Sequence, residues 1–78
     1  MPIILITKNL KFYIYPKDHN PPHVHVIGPD CEAKITILSL ECIQNNGFSE
    51  KDINKIIKFL EDKIDILIDV WEAFHENE

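Results

Sequence analysis

The chain has 78 residues, of which 45% are hydrophobic and 27% are charged, and its formal net charge is −5. An acidic chain without arginine is a poor candidate for non-specific nucleic-acid binding, which depends on neutralising phosphates. We see no secretory signal and no apolar run near the ~20 residues of a spanning helix, so we expect a cytoplasmic protein without a membrane span. The length predicts a single domain over residues 1–78, marginally stable alone, which favours a homo-oligomer or a protein partner.

Short runs of β-branched and aromatic residues, typical of strands, fill residues 1–37. The first two runs are residues 3–6 and 11–15, followed by a loop over 16–22. Two further runs, 23–27 and 31–37, are separated by Gly28-Pro29-Asp30, which is a turn signal. This succession predicts an antiparallel β-meander of three to four strands.

Imidazoles alternate with valines in the third predicted strand, directly after two prolines that stiffen the approach. Side chains alternate faces along a strand, so His23 and His25 should leave one face and Val24 and Val26 the other. The two histidine Cα atoms should be about 7 Å apart. Two imidazoles at this spacing can converge on one metal ion or one phosphate.

The pairing of the third and fourth strands is restricted by their apolar residues, because a one-residue slip would move every side chain to the other face. The register that gives one apolar face places His25 opposite Glu32 or Lys34, depending on loop length. The other face should then be polar. We expect it to carry His23, His25, Glu32 and Lys34, with Tyr13 and Tyr15 as packing or rim residues.

Residues 38–47 predict a short helix or turn that closes at Gly47. Ser49 is a good N-cap, with Asp52 in the capping-box position, so a helix should begin at Glu50. Apolar residues then recur at helical spacing without glycine or proline. They predict a long C-terminal helix over residues 49–76 that covers the apolar face of the sheet. The predicted fold class is therefore α+β.

A metal site is one interpretation of the histidines. His23 and His25, with His19 across the proline loop, form a candidate three-nitrogen cluster for zinc or another divalent metal. Glu32 or Asp18 would add an oxygen ligand.

A ribonuclease-type reaction is a second interpretation. His23 or His25 would be the catalytic general base or acid, because an imidazole titrates near neutral pH. Lys17 or Lys34 would lie near the phosphate, and a tyrosine such as Tyr13 or Tyr15 would orient the substrate. The acidic charge and the missing arginine count against nucleic acid as the partner.

The simplest alternative leaves the histidines on an exposed polar face. One ring would then hydrogen-bond a backbone carbonyl or Glu32. His75 is interpreted as a surface residue near the helix C-terminus, where the helix dipole favours positive charge.

Several segments together resemble a known family, the domain-of-unknown-function 4160 family of small bacterial proteins. They are Pro-Pro-His-Val-His-Val at 21–26, Glu-Ala-Lys at 32–34, Gly-Phe-Ser at 47–49, Trp71 and Phe74. The resemblance covers nearly the whole chain and carries over to His23 and His25, whereas similar sequences often have another residue at the position of His19.

The resemblance implies a context but no established activity. Members are often encoded beside a second small uncharacterised family, domain-of-unknown-function 2442, in an arrangement that looks like a toxin–antitoxin pair. On this basis we expect a small protein-interaction module, one component of a toxin–antitoxin-like two-gene cassette. Its partner would be the neighbouring gene product, a second copy of the chain, or both.

Overall fold

The computed structural model describes residues 3–7 and 9–75. The strands are β1 Ile3–Ile6, β2 Lys11–Tyr13, β3 His23–Ile27, β4 Glu32–Thr36 and β5 Cys42–Asn46. The helices are α1 Glu50–Leu60 and α2 Ile64–His75, joined by a 3₁₀ segment at Glu61–Lys63. The predicted α+β class is therefore confirmed. Lys8, between the first two predicted strands, and residue 76, the predicted end of the helix, lie outside the described residues.

The predicted antiparallel meander is confirmed, but it has five strands rather than three to four, in the order β1-β2-β3-β4-β5. Val24 pairs with Ile35 and Val26 with Ala33 across β3 and β4, which is the register that gives one apolar face. His25 lies opposite Lys34, so the loop length selects Lys34 over Glu32.

The short helix predicted within residues 38–47 is wrong, because this segment forms a turn and then the fifth strand. The Thr36 backbone N–H donates to the Glu41 carbonyl at 2.9 Å, and the Glu41 N–H donates to Thr36 Oγ1 at 3.0 Å. Leu40 has a φ of 54°, which is incompatible with a right-handed helix. Pairing with β4 therefore overrides a weak helical pattern. Gly47, at φ 105°, ends a strand rather than a helix.

The predicted start of the C-terminal helix is confirmed. Ser49 is the N-cap, and its Oγ accepts a hydrogen bond from the Asp52 N–H at 3.1 Å. Acidic residues occupy the first turn of α1, where they complement the helix dipole. The helical run is long, as predicted, but the 3₁₀ segment interrupts it.

The core lies between the sheet and the helical segment. Phe12 of β2 stacks on Phe59 of α1, with ring centroids 5.3 Å apart. Fully buried apolar residues are Phe12, Ile14, Val24, Val26, Ala33, Ile35, Ile37, Leu60 and Leu67. The alternation of β3 therefore buries both valines against the helices. Over the described ranges, 3–7 and 9–75, the helices are too short or too polar to cross a membrane.

Candidate metal centre

The loop between β2 and β3 folds back over the histidine strand. The Asp18 N–H donates to the Tyr15 carbonyl at 3.1 Å, and the Tyr15 N–H donates to Asp18 Oδ2 at 3.3 Å. This reciprocal pair closes a tight turn through Pro16 and Lys17. The turn fixes the Asp18 carboxylate above the face of β3 that carries the histidines.

Both histidines leave the same face of β3, as the alternation predicts, with ring centroids 5.1 Å apart. The exposure expected in the simplest alternative is wrong, because His23 and His25 are each only 7% exposed, although one ring does hydrogen-bond a backbone carbonyl. Tyr15 covers the His25 ring edge-on, with centroids 4.6 Å apart. The ring of Trp71 in α2 lies against the ring of His23, with centroids 5.5 Å apart. The two histidines therefore form a buried polar cluster rather than a solvated surface.

The Asp18 carboxylate contacts both imidazoles. Its Oδ2 lies 2.9 Å from His25 Nε2 and 3.5 Å from His23 Nε2. Each of the three residues offers one metal-ligating atom, and these atoms all lie within 4.8 Å of one another. Two nitrogens and a carboxylate oxygen are a ligand set that borderline divalent cations accept.

The orientation of the His23 ring is fixed from the side away from Asp18. His23 Nδ1 donates to the Pro21 carbonyl at 2.8 Å, since a carbonyl oxygen can only accept. In a neutral imidazole this leaves a lone pair on Nε2, facing the Asp18 oxygen. Two acceptor atoms that face each other favour a cation or a proton between them. A backbone carbonyl behind a histidine is also the outer partner that metal-ligating histidines commonly have.

The C-terminal end of α2 holds the same loop. His75 Nε2 contacts the Asp18 carbonyl at 2.8 Å, and His75 Nδ1 contacts the Trp71 carbonyl at 2.7 Å. Both of these partners are acceptors, so only an imidazolium donates to both at once. Trp71 and His75 stack with centroids 4.0 Å apart. The interpretation of His75 as a surface residue is therefore wrong, because its ring is half-buried and connects α2 to the loop of Asp18.

The two tyrosines flank the histidine cluster on the β2 side. Tyr13 lies directly opposite His25 in the sheet, and the rings of Tyr13 and Tyr15 stack at 5.7 Å. Burial raises the pKa of the Tyr15 phenol above its ordinary value of 10.0, and Tyr13, Glu32 and Asp18 act in the same direction. Tyr15 therefore stays neutral at physiological pH, and its ring packs against His25.

The other predicted site residues do not belong to this cluster of ligating groups. His19 is exposed in the loop and does not belong to the cluster of ligating groups. Glu32 is exposed and faces Ile27 across the strands. Lys34 is half-buried opposite His25, and Lys17 is exposed. The structure thus assembles His23 and His25 with Asp18, which sequence reasoning had named only as an additional oxygen donor.

A comparison with known families places the chain. The family model described as "Domain of unknown function (DUF4160)" matches residues 9–72, a span that contains Asp18, His23 and His25. The chain therefore belongs to the DUF4160 family. The search of curated proteins and the search of solved structures found no match.

Proposed function

We propose that this protein binds a divalent first-row transition metal, with Zn²⁺ the best fit, through Asp18, His23 and His25. The observation that supports the proposal is the convergence of one carboxylate oxygen and two imidazole nitrogens within 4.8 Å of one another, with both histidines only 7% exposed. Zinc accepts both nitrogen and oxygen ligands.

The spacing of the ligating atoms suits such an ion. In a tetrahedral site with bonds of about 2.0–2.1 Å, ligand atoms lie about 3.3 Å from one another. The distance of 3.5 Å between Asp18 Oδ2 and His23 Nε2 is close to this value. The 2.9 Å contact between Asp18 and His25 would lengthen by about 0.4 Å on binding. The two imidazole nitrogens, which lie within 4.8 Å of each other, must also come to about 3.3 Å from one another in such a site.

Three protein ligands leave at least one coordination position open. Structural zinc sites are commonly closed by four protein ligands, whereas catalytic sites keep three and bind water or substrate in the remaining position. The ligand set here has three members, as catalytic zinc sites do. Tyr15 and Trp71 lie against the imidazoles, so the exogenous ligand of this position would be a small molecule.

The ribonuclease interpretation receives less support. His23 and His25 are buried, and Asp18 faces the Nε2 atom of each. A polymer backbone has little access to such rings, whereas a single ion is small enough to reach them. The absence of arginine and the net charge of −5 act in the same direction.

The expectation of a protein-interaction module in a toxin–antitoxin-like cassette stays a prediction. It concerns the surface of the molecule, and the metal centre concerns its interior, so the two are tested separately. Co-purification with the neighbouring gene product tests the first. Metal binding tests the second.

The test of the metal centre is a metal analysis of untagged protein, followed by calorimetric titration of the metal-free protein with Zn²⁺. We expect one ion per chain. Loss of an outer-shell partner alone commonly lowers metal affinity by about 10–100-fold, so loss of a direct ligand should lower it at least that much. Asp18→Asn and His25→Gln should both show this loss.

The matched control is His19→Gln, which makes the same chemical change at an exposed histidine next to Asp18. It should leave the affinity unchanged. Saturation at about 100 times Kd should stabilise the wild type by about 2.7 kcal/mol, which a chelator reverses. Absence of binding, or an equal loss in His19→Gln and His25→Gln, would contradict the proposal.

A further inference from the structure

The strand β5 is an edge of the sheet whose composition is unusual for an edge. Among the strands that the structure describes, it pairs with β4 alone. Natural edge strands commonly carry lysine, proline or inward-pointing charges that block pairing with another chain. The residues of β5, Cys-Ile-Gln-Asn-Asn, carry no charge and no proline, and four of the five are exposed. This edge therefore lacks charged and proline protection, and its pairing with β4 is irregular only between Lys34 and Ile35.

The register shows which backbone groups of β5 are available. The Gly28 N–H donates to the Cys31 carbonyl, and antiparallel strands alternate hydrogen-bonded and non-bonded pairs. By this alternation, the backbone groups of Glu32, Lys34 and Thr36 point towards β5, as the bond from the Thr36 N–H to the Glu41 carbonyl shows. Asn45 lies opposite Ala33, between two bonded pairs. Its backbone N–H and C=O consequently point away from β4, towards the open edge.

The chemistry of the edge suits a second copy of this chain. We infer that two copies pair through β5, antiparallel to each other around a two-fold axis, to form one continuous sheet. Asparagine and glutamine amides each carry a donor and an acceptor, so Gln44 and Asn46 can hydrogen-bond the same amides of another copy, whereas the Asn45 amide already bonds the backbone of Phe48. A lysine or glutamate at these positions would meet its own charge instead.

Charge and apolar exposure select the same surface. Each copy has a net charge of −5, so copies approach most easily where neither carries a charge. Ile43 in β5 is 52% exposed, and Leu38, in the turn before β5, is 70% exposed. Both would lose contact with water in the pair. A contact of β5 with β5 also closes at two copies, whereas a contact of β5 with β1 would continue into a filament.

Sedimentation velocity over a range of micromolar concentrations tests this inference. The wild type should form a dimer and no larger species. Ile43→Lys should raise the dimer Kd by at least about tenfold, because it places like charges at the edge on both sides of the axis. The matched control, Ile66→Lys, makes the same change at a helix residue that is 56% exposed, and it should leave the dimer intact.

Three outcomes would overturn the inference: a wild type that stays monomeric, equal dissociation by both lysine variants, and assembly beyond the dimer. Circular dichroism of Ile43→Lys verifies that the variant is folded.

Hydrogen exchange of the wild type gives an answer without any substitution. The Asn45 amide should exchange more slowly as the concentration rises, because it becomes bonded in the dimer. The Gln44 amide, bonded to β4 in each copy, should be protected at every concentration. An Asn45 amide whose exchange is independent of concentration while dimers form would place the interface elsewhere.

Discussion

The strands β3 and β5 flank the same neighbour, β4, and each has five residues, yet their environments differ completely. β3 pairs on both sides, and His23, Val24, His25 and Val26 are all buried. β5 pairs on one side and leaves four of its five residues exposed. The strand with two imidazoles is thus the interior one, and the strand with neutral amides forms the edge.

This difference shows that burial of a side chain depends on its position in the sheet and on available hydrogen-bond partners, and not on polarity alone. A buried polar group without a partner is costly, but His23 and His25 have the Pro21 carbonyl and the Asp18 carboxylate as partners. These partners come from the loop between β2 and β3. No comparable loop covers β5 within the described part of the chain.

The largest expected effect separates the two strands directly. Val24→Asp places a carboxylate in the fully buried face of β3 and should destabilise the fold by several kcal/mol, enough to unfold so small a domain. Ile43→Asp, on β5, should change the stability of the monomer, measured at low protein concentration, by no more than about 0.5 kcal/mol. Urea unfolding followed by circular dichroism measures both. Similar losses of unfolding free energy at the two positions would contradict the claim that the two strands differ in burial.

Removal of the Asp18 carboxylate tests whether partners keep the histidines inside. Asp18→Ala in the metal-free protein should lower stability by about 1–3 kcal/mol, because the His25 imidazole loses its hydrogen-bond acceptor. Asp69→Ala removes an exposed carboxylate from α2 and is the control. Equal stabilities of the two variants would mean that Asp18 is not what makes the burial of His23 and His25 tolerable.

The attachment of α2 to the loop should have a smaller effect. His75→Ala removes the contacts to the carbonyls of Asp18 and Trp71 and should lower stability by about 1–2 kcal/mol. His19→Ala, in the exposed part of the loop, should change stability by less than about 0.5 kcal/mol. Thermal unfolding of the two variants makes the comparison. A neutral His75→Ala would show that the loop holds its position over β3 without the helix.

The smallest effect concerns Tyr15, whose ring covers His25. Because the pKa of its phenol is raised in the folded state, the folded protein binds more protons than the unfolded chain above pH 10. Stability should therefore fall as the pH rises through and beyond 10. Tyr15→Phe should lack this part of the alkaline loss, which unfolding curves at pH 9 and above would reveal. An identical alkaline profile in both proteins would show that Tyr15 is not buried enough to matter.

Local features of the sequence predicted much of the fold. The cap at Ser49 and the helical spacing after it depend on residues near one another in the chain, and both are found. The alternation in β3 predicted that His23 and His25 share a face, and the apolar pattern of β4 restricted their register. These inferences succeeded because each depends on a fixed periodicity.

Features that depend on distant contacts were missed. His75 meets the loop of Asp18 at a separation of 57 residues, and its helical position gives no sign of this contact. β5 became a strand because β4 offered an open edge, although its own residues favour strand only weakly. Asp18 replaces His19 in the cluster because the turn at Tyr15 directs the aspartate inward, and that direction depends on backbone hydrogen bonds.

The most direct test of the metal centre is NMR of the imidazole nitrogens during a Zn²⁺ titration of the metal-free protein. We predict that the Nε2 signals of His23 and His25 shift together and saturate at one ion per chain, while those of His19 remain unchanged. Unchanged His23 and His25 nitrogens under saturating Zn²⁺, or a shift confined to His19, would contradict the account.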